Sequence, residues 1–111
     1  MSNLLFGVPI GKQSAAAVSS LVVLNVPGSV NFIQCNNGAA AGYLMVFDAI
    51  TAPVDGAVTP LLAFAMAANS TLTFAVDPPV KFTTGCTLVY SSTGPNTKTA
   101  SATAYFVARQ A

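Results

Sequence analysis

Along this chain apolar and polar positions alternate at every second residue more often than they recur at helical spacing. In Ser70-Thr71-Leu72-Thr73-Phe74-Ala75-Val76, Leu72, Phe74 and Val76 point one way and Thr71 and Thr73 the other, the pattern of a strand with one buried face. Residues 101–109 also read as a strand, with apolar groups on both faces. Between punctuating residues, strands are predicted at 19–26, 30–35, 42–48, 60–66, 70–76, 79–82, 86–92 and 101–109. The breaks have their own chemistry. Pro27-Gly28 and Asn36-Asn37-Gly38 suit turns, 53–56 and Thr93-Gly94-Pro95-Asn96 suit loops, Ala68-Asn69-Ser70 suits a tight hairpin, and Pro78-Pro79 reads as a stop. Strands at this spacing predict an all-β fold, a sandwich or small barrel, read here as a two-sheet antiparallel β-sandwich of about eight strands. Leu44, Leu72, Phe74 and Leu88 are expected in its core. Residues 1–17 begin apolar and continue with Ser14-Ala15-Ala16-Ala17, too small-sided to anchor a core. They read as an extended N-terminal arm ahead of a single domain over 18–111.

One stretch does not fit a sheet with a single buried face. In Tyr43-Leu44-Met45-Val46-Phe47-Asp48, Leu44 and Val46 share one side, while Tyr43, Met45 and Phe47 share the other. A two-sheet sandwich internalises one face of each sheet, so the second apolar face needs a cover. The arm makes the same demand through Leu4, Leu5, Phe6 and Val8, because an exposed apolar patch is costly in water. Both are therefore expected to form a subunit interface. The competing account is internal: Leu5 and Phe6 capping an open end of the sandwich, and Met45 lying under a long loop.

Composition sharpens this picture. Hydrophobic residues make up 53% of the 111 positions and charged residues only 6%, against roughly 25% charged in average soluble proteins. Lys12, Lys81, Lys98 and Arg109 against Asp48, Asp55 and Asp77 leave a net charge of +1 and no basic run, so nucleic acid is not an expected partner. The longest compact apolar stretch, 61–68, is well short of the ~18 residues of a spanning helix, so no membrane segment is expected. No positive charge precedes Leu4-Leu5-Phe6, and Gly7 and Pro9 interrupt the apolar run. The expectation is synthesis in the cytoplasm without export. In that setting Cys35 and Cys86 are read as buried free thiols in strands, with a bridge as the alternative.

Chemistry has little to work with. The chain has no His, no Glu and no Trp, so its many Ser and Thr hydroxyls lack the usual activating base. Asp48 ends a strand, Asp55 sits beside Gly56 in a turn and Asp77 precedes Pro78-Pro79, and each reads as turn chemistry, where a carboxylate hydrogen-bonds local backbone. A Ca²⁺ site built from two of them has no loop motif behind it, and no glycine-rich phosphate loop is present. No enzyme activity, cofactor or required metal is expected. The aromatics read mainly as core, although Tyr90, Asn36, Asn37 and Asn96 are candidates for carbohydrate contact at loop tips.

The segment Tyr43-Leu44-Met45-Val46-Phe47-Asp48-Ala49-Ile50-Thr51-Ala52-Pro53, the strand at 60–66, Ala67-Ala68-Asn69-Ser70 and Phe82-Thr83-Thr84-Gly85 together resemble small structural proteins of tailed bacteriophages and prophages. In that group a strand of the type Tyr-Leu-Lys-Leu-Tyr-Asp leads into a Thr-Ala-Pro loop, and a Phe-Ser-Thr-Gly step opens a late strand. The resemblance covers roughly residues 30–109. Here Met45 stands for the Lys and Phe47 for the Tyr, which makes that face greasier. The resemblance implies a β-sandwich or jelly-roll virion component, either a capsid decoration (cement) protein or a tail-associated one. The leading expectation is a decoration protein on the capsid surface, a homotrimer bound to the major capsid protein. A tail or fibre module that binds host-surface carbohydrate is the alternative.

Overall fold

The computed structural model describes residues 11–14 and 16–110. These residues hold ten strands and no helix: β1 (Gly11–Gln13), β2 (Ser20–Leu24), β3 (Gly28–Asn37), β4 (Gly42–Phe47), β5 (Gly56–Ala57), β6 (Leu62–Met66), β7 (Thr71–Phe82), β8 (Cys86–Ser91), β9 (Thr97–Lys98) and β10 (Ala104–Gln110). Eight of them form two four-stranded antiparallel sheets, a front sheet in the order β1-β10-β3-β7 and a back sheet in the order β2-β8-β4-β6, while β5 and β9 make a separate short ribbon. With the ribbon set aside, the first and last sandwich strands are neighbours, the second pairs with the second-last, and the chain alternates between sheets except at the β4-β6 hairpin. That is the jelly-roll arrangement of a β-sandwich.

The core between the sheets is built by the period-2 pattern. Leu44, Val46, Leu88 and Tyr90 of the back sheet meet Val30, Ile33, Cys35 and Phe106 of the front sheet, all buried. Leu72 and Phe74 are only half-buried because β7 is an edge strand, and Phe74 meets Phe64 with ring centroids 5.3 Å apart. The Tyr90 hydroxyl donates to the carbonyl of Ala40 at 2.7 Å, which satisfies its polar end inside the core.

Two boundaries differ from the sequence reading. Pro78-Pro79 does not stop a strand: β7 runs through it, with register passing from Val30↔Val80 to Phe32↔Ala75, so that 76–79 bulge out opposite Asn31. A proline is tolerated there because the outer edge of β7 has no ladder partner to lose. Within the stretch read as an arm, Gly11–Gln13 pairs with β10. This pairing uses backbone alone and needs none of the large side chains whose absence suggested an arm.

The back sheet carries a second, smaller apolar layer on its outer side. Met45, Phe47 and Val89 are buried there against Tyr43, Ala49, Ala52 and Val58. The chain segments 49–60 and 92–100 lie over this face and are joined to each other by the β5–β9 ribbon. The lid is pinned at several points. Thr87 Oγ1 donates to the Ala49 carbonyl at 2.9 Å. Ser91 Oγ accepts from the amides of Thr99 at 2.9 Å and Thr93 at 3.2 Å. Lys98 Nζ meets Asp55 Oδ1 at 2.7 Å. Gly94 has to be glycine for this packing, since a Cβ there would lie 2.8 Å from the Tyr43 ring.

Candidate functional site

The lid covers the Tyr43/Met45/Phe47 face, which the sequence reading assigned to a subunit interface. Met45 is 0% and Phe47 7% exposed within the single chain, and Tyr43 is half-buried beneath Gly94. A side chain with no accessible surface has nothing to offer a neighbouring subunit. The loops over the back sheet are long and apolar enough to add a third layer to the two sheets. The internal alternative, Met45 under a long loop, is what the structure contains. Leu4, Leu5, Phe6 and Val8 lie outside the described residues.

Open apolar side chains stand singly on the lid at Val54 and on the front sheet at Tyr105, and three more gather elsewhere. Val26 is 56%, Ile50 48% and Leu61 48% exposed. Register places all three at one end of the sandwich. Val26 sits in the turn between β2 and β3, Ile50 follows the end of β4, and Leu61 precedes β6 with its amide bonded to the Val46 carbonyl at 2.8 Å. Gly85 lies between them; a Cβ there would stand 2.5 Å from the Leu24 carbonyl oxygen and 3.0 Å from Ile50 Cγ2. Lys12, Val26 and Gln110 share the lining of one concavity, so Gly11, to which the Leu4–Ile10 segment is joined, belongs to the same end. Of these residues the sequence signalled only Ile50, an aliphatic side chain outside every expected strand, because Val26 and Leu61 fall within the strands expected at 19–26 and 60–66, where a core position would account for them.

The carboxylates are held by partners far away in sequence. Asp48 Oδ1 accepts from the amide of Thr84 at 2.8 Å and of Gly85 at 3.3 Å; Oδ2 accepts from the amide of Thr83 at 3.1 Å and its hydroxyl at 2.8 Å. These donors, the Thr84 and Thr83 amides first, hold the Asp48 carboxyl down at about 2. Asp55 is lowered chiefly by its hydrogen bond from Lys98, and then by the Ala100 amide. For Asp48 and Asp55, turn chemistry within the residue's own loop, the sequence expectation, is replaced by clamps between distant segments. Asp77 stands apart, at the β7 bulge. Among the described residues no three His, Cys, Asp or Glu side chains come together as a metal site.

Cys35 and Cys86 are both free and fully buried, one in each sheet, and burial pushes both thiols up to about 12. Of the groups considered for carbohydrate, Tyr90 is a core residue, and the Asn37 amide nitrogen is occupied by the carbonyls of Ala40 at 2.7 Å and Ala67 at 3.0 Å. Asn96 is exposed on the lid, and Asn36 projects from the outer side of the front sheet. No helix among the described residues is long and apolar enough to cross a membrane. No family model matches the chain, and neither the curated proteins nor the solved structures contain a match.

Proposed function

We propose that this chain is a non-enzymatic structural protein of a phage virion, most specifically a capsid decoration protein that binds the major capsid protein and its own copies as a homotrimer on the capsid surface. The observation that supports this reading is the apolar end of the sandwich. Val26, Ile50 and Leu61 are each about half exposed there. Aliphatic groups gathered at one end, with Lys12 and Asp48 at their margin, match an interface with an apolar centre and a polar rim. The jelly roll is an architecture used by viral capsid domains among others, which is compatible with the role without specifying it. Two of the three carboxylates are engaged in holding loops, as expected of groups that shape a scaffold. The mechanism is adhesive: each copy buries apolar surface against its neighbours, and many modest contacts act together.

The test is binding of the purified chain to capsids stripped of decoration proteins. Ile50→Asp with Leu61→Asp should abolish binding while leaving the melting temperature of the free chain within a few degrees of wild type, since both side chains are half exposed already. Unchanged binding by this variant would refute the assignment of the end. Copy number per virion by quantitative mass spectrometry separates the head role, in hundreds of copies, from a tail or fibre role, in few.

A further inference from the structure

The outer side of the front sheet differs chemically from the apolar end. Register sets three rows across it: Tyr105, Asn36 and Thr71; then Val107, Gln34 and Thr73; then Arg109, Phe32 and Ala75. Thr71 Oγ1 donates to Asn36 Oδ1 at 2.8 Å, Asn36 Nδ2 to Gln34 Oε1 at 3.5 Å, and Gln34 Nε2 to Thr73 Oγ1 at 3.4 Å. The result is a ladder of amides and hydroxyls, loosely tied in its middle steps, so its members keep capacity for further hydrogen bonds. Tyr105 stands at one end, 48% exposed. At the other, the Arg109 guanidinium lies 4.9 Å from the centre of the Phe32 ring.

Beside that pair the β7 bulge opens a concavity of about 380 Å³, into whose wall Asn31 and Asp77 also enter. Among the described residues Arg109 and Asp77 have no ion-pair partner, and the buried carboxamide oxygen of Asn31 accepts no hydrogen bond.

We propose that this face binds a neutral oligosaccharide. Arg109 and Asp77 offset each other in charge, and Lys81 falls in the register beyond the bulge, apart from these rows. The remaining groups are uncharged, amides and hydroxyls interleaved with the apolar Val107, Phe32 and Ala75, so neither an anionic nor a cationic ligand has a matching field. A dry protein interface would have to desolvate the whole ladder, at a cost for each group left unpaired. Sugar hydroxyls both donate and accept, which suits amides and hydroxyls alike, while the C–H faces of the rings suit Tyr105 and the Phe32–Arg109 stack. Residues 105 and 109 are separated by about 13 Å along β10, a span of about three pyranose rings. The face lies on the outer flat of the front sheet, with Tyr105 toward the far end and the Arg109–Phe32 pair adjoining the apolar end.

The experiment uses the full ¹⁵N-labelled chain, titrated to millimolar concentration with maltohexaose, cellohexaose and N-acetylchitohexaose in turn. Saturable amide shifts clustered at 32–36, 71–77 and 105–109 with at least one of them support the proposal. Tyr105→Ala, and independently Gln34→Ala, should then weaken that binding about tenfold with the melting temperature unchanged. Absent or scattered shifts with all three sugars overturn it, as does binding that both variants leave unaltered. Shifts on this face that follow protein concentration without sugar would overturn it too, by making the face a contact between copies.

Discussion

Replacing Met45 by Ala tests whether the outer layer of the back sheet belongs to the fold or to an assembly. Met45 is completely buried between Val89 and the lid, and a Cβ on Gly94 would come within 3.1 Å of its Cε. Truncating a buried Met costs about 2–5 kcal/mol, depending on how far the site collapses. Here one wall is a loop pinned at a few points, which can settle inward, so the lower part of that range applies, about 2–3 kcal/mol. In a domain of this size each kcal/mol moves the melting temperature by about 4–8 °C, so the expected fall is about 8–24 °C. Phe47→Ala should cost as much or more, whereas Val54→Ser, at a lid position 87% exposed, should stay within about 0.5 kcal/mol of wild type. The assay is thermal melting by far-UV circular dichroism, repeated by urea titration on the isolated chain. If Met45 served a neighbouring copy instead, the isolated chain would melt normally and only assembly would suffer. A melting temperature for Met45→Ala within about 2 °C of wild type refutes the lid argument.

Two further predictions follow from titratable groups. The Asp48 carboxyl is held at about 2 in the fold, below its unfolded value of about 3.9, so its contribution is fully present above the unfolded value and is lost as pH falls from about 4 to 2. Melting of Asp48→Asn across that window should fall less steeply than wild type, and equally steep curves would count against the clamp. Cys35 and Cys86, with thiols raised to about 12, should resist iodoacetamide at pH 8 in the native state and react once urea unfolds the chain. Rapid native labelling detected by mass spectrometry would contradict their burial.

The sequence by itself determined what depends on neighbours in the chain. Period-2 alternation, as in Leu72-Thr73-Phe74, is read against local backbone geometry, so the all-β class, the principal strands and most of the turns were legible. So was the core placement of Leu44 and Leu88, because their alternation leaves one face to choose. Composition likewise exposed the shortage of charge. Only the tertiary structure decided what covers what. The apolar outer face of β4 demanded burial in either account, and nothing local in Tyr43, Met45 or Phe47 distinguishes a loop of the same chain from a neighbour. The lid closes through Lys98 and Asp55, 43 residues apart, and Asp48 is clamped by amides 35 to 37 positions away. The run through Pro78-Pro79 depended on β7 being an edge, and the concavity beside Arg109 depended on the bulge in that edge. Strand order is a property of closure between distant segments. Alternation reports which face of a strand seeks burial, and the rest of the chain then supplies the surface that meets it.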